Sequence, residues 1–160
     1  MVISHKLKNI LVTGANSRFC KYLKKDLRPF KSTFCSKKVF NILKYEQMKK
    51  FLKDKNFTHI IHIAGLSRPM NIHDSNITKS IDLNIIGTAN LVKLCNQNKI
   101  KLIYFSTNYV YPGTKGNYKE TDSLKPINNY AWSKLGGESA VQLYKNSLIL
   151  RICMTDYPFT

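Results

Sequence analysis

A chain of 160 residues with 43% apolar and 11% aromatic side chains is sized for one domain with a buried core, and this composition excludes a disordered segment. The formal charge of +17 invites a nucleic-acid partner, but 22 of the 26 basic residues are lysines spread along the chain. Only Arg18, Arg28, Arg68 and Arg151 offer the planar fork that reads base edges and phosphates, so nucleic acid is set aside as a partner.

No apolar run approaches the ~20 residues that span a bilayer, so no membrane partner is expected. The opening MVISHKLKN lacks the apolar stretch of a signal peptide. Cys20, Cys35, Cys95 and Cys153 are scattered, without metal-ligand spacing, and read as reduced, mostly buried thiols of a cytoplasmic protein.

Strand and helix signals alternate along the chain. Ile10–Thr13 is a short apolar run ending at Gly14, hence a strand. A helix follows from about Arg18, with Phe19, Leu23 and Leu27 on one face and Pro29 ending it. Thr33–Cys35 and Val39–Ile42 read as two short strands, and Tyr45–Asp54 as a helix with Met48, Phe51 and Leu52 inward. His59–Ala64 is nearly all apolar, as in a strand covered on both faces. Ile77–Asn98 is one long helix, and Lys101–Ser106 the next buried strand. A turn-rich loop over Tyr111–Pro126 leads to a helix from Asn128 to Lys145 and a last strand, Ser147–Ile152. This alternation predicts an α/β fold, a doubly wound parallel sheet of the Rossmann type, with ligand-binding residues just after positions 13, 42, 64 and 106.

The loop ILVTGANSRFCKYL resembles a phosphate cradle in part. Gly14 keeps the tight-turn role, while Ser17 and Cys20 stand where a cradle usually has glycine. The Ser17 hydroxyl can cap the helix or donate to a phosphate, and the loop alone fits a binder and a relic equally. A second constellation says more. The strand KLIYFST ends in Ser106-Thr107, and 23 residues after Thr107 comes Tyr130-x-x-x-Lys134 on a helix. Positions i and i+4 share a helix face, so both side chains reach one site. A phenol is a poor acid or base at neutral pH, and an adjacent ammonium lowers its pKa. Such a pair is common on any lysine-rich helix; the strand-end Ser-Thr ahead of it is what points to chemistry. His59 and His62, three apart on a strand, face opposite ways and cannot share a metal, so none is expected. Trp132 reads as packing or a substrate wall, and Asn84 and Gly87 as helix packing near the site.

With STNYVYPG, ETD and PINNYAWSKLGGE, the chain resembles the extended short-chain dehydrogenase/reductases, within them the dTDP-4-dehydrorhamnose reductases and related NAD-dependent epimerase/dehydratases. HIIHIAG is similar to that family's H-x-A-A strand end and NIIGTANLVKLC to its N-V-x-G-T-x-N-L-L helix. The resemblance runs from Asn9 to about Arg151 and implies an NAD(P)-binding domain. The family's C-terminal substrate-binding part does not follow in this sequence.

The resemblance implies an oxidoreductase or epimerase acting on a nucleotide-sugar substrate with NADP or NAD, and it allows a homodimer. It assigns Tyr130 as general acid/base, Lys134 to the Tyr130 pKa and the nicotinamide ribose, and Thr107 to the reacting oxygen. Gly14, Ser17, Arg18 and Phe19 would line the pyrophosphate, Asn41 and Ile42 would flank adenine, and Ala64, Gly65 and Leu66 would follow the strand beside nicotinamide. Asn108 would meet substrate where reductases often carry Asp. A carboxylate usually holding the adenine ribose is missing from Cys35-Ser36-Lys37-Lys38, which tilts the choice toward NADP. The competing class is a non-catalytic nucleotide-binding or regulatory module on the same fold.

Overall fold

A computed structural model describes residues 8–153. Five strands, β1 (Asn9–Thr13), β2 (Lys31–Cys35), β3 (His59–His62), β4 (Lys101–Thr107) and β5 (Ser147–Ile152), form one parallel sheet in the order β2-β1-β3-β4-β5. The order reverses between β1 and β3, so the loops after these two strands diverge and leave a crevice at the carboxyl ends.

Successive residues of β1 feed opposite faces. Leu11 joins a core with Met48, Leu91, Leu94, Tyr104 and Val141, while Ile10 and Val12 join Cys20 and Ile61 on the other side. That is why the strands read as unbroken apolar runs rather than alternating ones. Helices α1 (Arg18–Asp26), α2 (Tyr45–Leu52), short α3 (Ile72–Ser75), α4 (Ile77–Ile81), α5 (Gly87–Asn98) and α6 (Asn129–Gln142) complete the fold. The opening MVISHKL lies outside the described residues. No helix among the described residues is long and apolar enough to cross a membrane.

Three expectations are corrected. Val39–Ile42 is not a strand: the Ser36 carbonyl accepts from the Val39 and Phe40 N–H groups at 3.1 and 2.9 Å, and Asn41 Oδ1 accepts from Leu43 N–H at 3.1 Å. Those local bonds satisfy the backbone in a turn. The expected strand through Ala64 ends at His62, because the Ile63 and Ala64 N–H groups donate to Thr13 Oγ1 at 3.2 and 3.1 Å. The long helix over 77–98 is interrupted by a π-helical turn, Asp82–Ile86, where the Gly87 N–H donates to the Asp82 carbonyl. Its extra residue turns Asn84 inward to 1% exposure, and such bulges recur at functional sites.

Candidate active site

The crevice is built on one glycine. Gly14 has φ +77°, and a Cβ there would stand 2.8 Å from the Ala64 nitrogen, so β1 turns tightly only because this position has no side chain. Beyond it lies a cleft of about 300 Å³ lined by Gly14, Asn16, Ser17, Asn41, Ile42, Ala64 and Gly65, among others. The structure thus gathers six of the nine expected cofactor residues outside the Tyr–Lys pair. A second cleft of about 480 Å³ shares Asn16, Ser36, Lys37 and Asn41 and adds Lys38 and Lys44.

The two departures from glycine have become structural. Ser17 caps α1, its Oγ accepting from Cys20 N–H at 3.3 Å. The buried Cys20 thiol donates to the Gly14 carbonyl at 3.3 Å and holds the turn from behind. Burial keeps that thiol above its ordinary pKa. Phe19 packs on Phe105 of the sheet, ring centroids 5.3 Å apart, and Leu66 is buried; neither lines the cleft. Arg18 starts α1 and does not line the cleft either.

At the end of β4, Thr107 and Tyr130 come together. Thr107 Oγ1 accepts from Tyr109 N–H at 3.2 Å, and its hydroxyl is near enough to the Tyr130 phenol to draw its pKa down. The Tyr130 ring stands between His73, 5.1 Å away, and Tyr109, 6.3 Å away and edge-on. Burial pushes its pKa up; the Thr107 hydroxyl and the Arg68 charge pull against that. The expected relief from Lys134 is replaced by these two: the Lys134 ammonium lies over the Tyr104 ring, 4.1 Å from its centroid. Burial brings Lys134 down to about 7, with Glu138 opposing. Asn108 is exposed, beginning a 3₁₀ turn, Asn108–Val110.

The residues read as packing divide. Asn84 does more: its side-chain amide accepts from Leu66 N–H at 2.7 Å and donates to the Leu66 carbonyl at 2.9 Å and to Ser133 Oγ at 2.8 Å. It thereby fixes the post-β3 loop to the turn of α6 that carries Lys134. A lone Asn followed by apolar residues and Gly-Thr was the only sequence signal for it. His62, 1% exposed, bridges Thr13 and Thr88, and burial holds its pKa down to about 3, so it is neutral. No cluster of metal-ligating side chains occurs among the described residues. Trp132 is 56% exposed, so it is not part of the core. His73 and Arg68, beside Tyr130, carried no sequence signal.

A parallel sheet that reverses between β1 and β3, with a glycine turn at the reversal and a Thr–Tyr pair beyond β4, is the Rossmann arrangement as the short-chain epimerases and reductases use it. More narrowly, the chain belongs to the RmlD substrate binding domain family, whose model it matches over residues 8–155. It is 34% identical over 113 residues to methionine adenosyltransferase 2 subunit beta of Xenopus laevis, covering 70% of this chain and 34% of that one. To dTDP-4-dehydrorhamnose reductase of Salmonella typhimurium strain LT2 it is 38% identical over 61 residues, covering 38% and 20%. The dTDP-4-dehydrorhamnose reductase of Bacillus anthracis strain Ames, solved in complex with NADP, superposes with a TM-score of 0.83 at 28% identity, covering 90% of this chain and 52% of that one. The chain therefore spans about half of that solved reductase and about a third of the adenosyltransferase subunit.

Proposed function

We propose that this chain is the nucleotide-binding part of an NADP-dependent oxidoreductase acting on a nucleotide-activated sugar. The pairing of Thr107 at the end of β4 with the Tyr130 phenol, on the same edge of the sheet as the switch-point cleft, carries the reading. The turn at Gly14, closed to any Cβ, and the Ser17 cap at the start of α1 suit a pyrophosphate. Lys37 and Lys38, with no acid between them, suit an adenosine 2′-phosphate, and the solved Bacillus anthracis relative holds NADP.

When bound, the nicotinamide supplies or accepts a hydride at the sugar carbon. The Tyr130 hydroxyl gives the proton to the carbonyl oxygen in reduction and takes it back in oxidation. The Thr107 hydroxyl holds that same oxygen, so reacting atom and proton donor share one short path. Lys134, one helix turn after Tyr130, is the residue for the nicotinamide ribose, while the Thr107 hydroxyl and the Arg68 charge favour the Tyr130 phenolate.

The test is turnover of dTDP-4-dehydrorhamnose by the whole protein with NADPH, followed by loss of NADPH fluorescence. Consumption that Tyr130→Phe abolishes supports the reading; no consumption by wild type contradicts it. A second reading, a nucleotide-binding subunit of another enzyme, is favoured by the likeness to an adenosyltransferase subunit. Nucleotide binding without sugar turnover by the whole protein would select it.

A further inference from the structure

Tyr104 holds Lys134 at both ends. The Lys134 Nζ sits over its ring face, 4.1 Å from the centroid, while the Tyr104 hydroxyl donates to the Lys134 backbone carbonyl at 3.3 Å. Tyr104 is fully buried and Lys134 is 7% exposed, so neither contact is traded against bulk water.

Helix α6 is shaped to admit this ring. A Cβ at Gly137 would stand 2.5 Å from the Tyr104 hydroxyl and 2.6 Å from the Asn84 carbonyl. Glycine inside a helix is otherwise unfavourable, and here it makes the room that the tyrosine occupies. Alanine at 137 would push Tyr104 out of register with Lys134.

A chain of buried hydrogen bonds leads from the end of β1 to the neighbourhood of that ring. Thr13 Oγ1 accepts the Ile63 and Ala64 N–H groups, so its own proton goes to His62 Nδ1 at 2.9 Å. With Nδ1 accepting, the neutral ring of His62 carries its proton on Nε2 and donates to Thr88 Oγ1 at 3.1 Å. The Thr88 hydroxyl ends this chain near the Tyr104 phenol, whose own proton goes to the Lys134 carbonyl.

We propose that Tyr104 is a positioning residue for Lys134: its ring face seats the ammonium. The use made of that ammonium, toward a ribose, rests on the reading under Proposed function. The groups facing Lys134 are His62 from β3, Tyr104 from β4 and, on its own helix, Glu138. Glu138 favours the charge but is shared with Arg151 of β5, Oε2 2.8 Å from Nη2, and His62 is neutral, so the ring face is the contact made by the ammonium itself.

The test follows the Cε resonance of isotopically labelled Lys134 by NMR across pH, assigned by its loss in Lys134→Met, in the nucleotide-free protein. Wild type and Tyr104→Phe should titrate at the same midpoint, because phenylalanine keeps the ring face. Trifluorophenylalanine at position 104, similar in volume but with an electron-poor face, should lower the proton affinity of Lys134 by about tenfold, and Tyr104→Leu by as much or more. A midpoint indifferent to fluorination overturns the proposal, as does a fall in Tyr104→Phe equal to that in Tyr104→Leu. The fluorinated variant keeps the test decisive if Tyr104→Leu does not fold. Because the titration needs neither nucleotide nor turnover, failure to bind NADPH would count against the oxidoreductase reading alone.

Discussion

Replacing Lys134 with methionine should stabilise the fold, and the gain should depend on pH. The side chain is 7% exposed, and burial holds its ammonium at about 7 instead of the ordinary 10.5. At about 1.36 kcal/mol for each tenfold change in proton affinity, that difference amounts to about 5 kcal/mol when the lysine must be charged in both states. The sign follows from proton counts. Below pH 7 the folded and unfolded chains both hold the proton and the penalty is complete. From pH 7 to 10.5 the folded chain has shed a proton that the unfolded chain keeps, so stability recovers as pH rises. At pH 9 about 2 kcal/mol of the penalty is left.

Methionine has nearly the same length, carries no charge and gives up the contact with the Tyr104 ring, which returns about 1 kcal/mol. The variant should therefore be more stable than wild type by about 4 kcal/mol at pH 6 and by roughly 3 kcal/mol less than that at pH 9. Urea unfolding of both proteins at pH 6, 7.5 and 9, read as the difference at each pH, measures this. A difference that does not change with pH, or a variant less stable than wild type at pH 6, would refute the argument that Lys134 is held charged against its burial.

Three other substitutions test separate parts of the account. Tyr130→Phe keeps the ring in its slot between His73 and Tyr109 and removes only the proton, so turnover of the whole protein should fall ~10²–10⁴-fold or more with an unchanged melting curve. Gly14→Ala must adopt φ +77° and set a methyl 2.8 Å from the Ala64 nitrogen. It should lose about 1–3 kcal/mol of stability and at least about tenfold in NADPH affinity by fluorescence titration. Glu138→Gln leaves Arg151 without its buried carboxylate, and urea unfolding should show a loss of about 3–5 kcal/mol, recovered in part by Arg151→Met.

The sheet was legible because its strands are covered on both faces and so appear as unbroken apolar runs; β4 and β5 fall within a residue of where the pattern puts them. Thr107 and Tyr130 were legible for a local reason, a strand end and a helix start set by apolar periodicity. What escaped was decided by single contacts. Val39–Ile42 has strand-forming residues, but turn bonds from Ser36 and Asn41 satisfy that backbone first. The π turn at Asp82–Ile86 depends on one displaced hydrogen bond, and with it goes the role of Asn84. Lys134 was placed correctly on its helix, yet its direction, toward Tyr104, is set by a strand residue 30 positions away and by the room at Gly137. Periodicity locates a residue on a face but does not say which neighbour its charge will meet.

Direct binding of NADPH and NADH to this chain tests the central claim most closely. The cleft turned by Gly14 and flanked by Lys37 and Lys38 predicts saturable binding of both, with NADPH the tighter. It also predicts that Lys37→Glu narrows or reverses the preference, because the substitution puts a carboxylate where a 2′-phosphate would lie. Absence of binding by either nucleotide, or a clear preference of the unaltered chain for NADH, would contradict it.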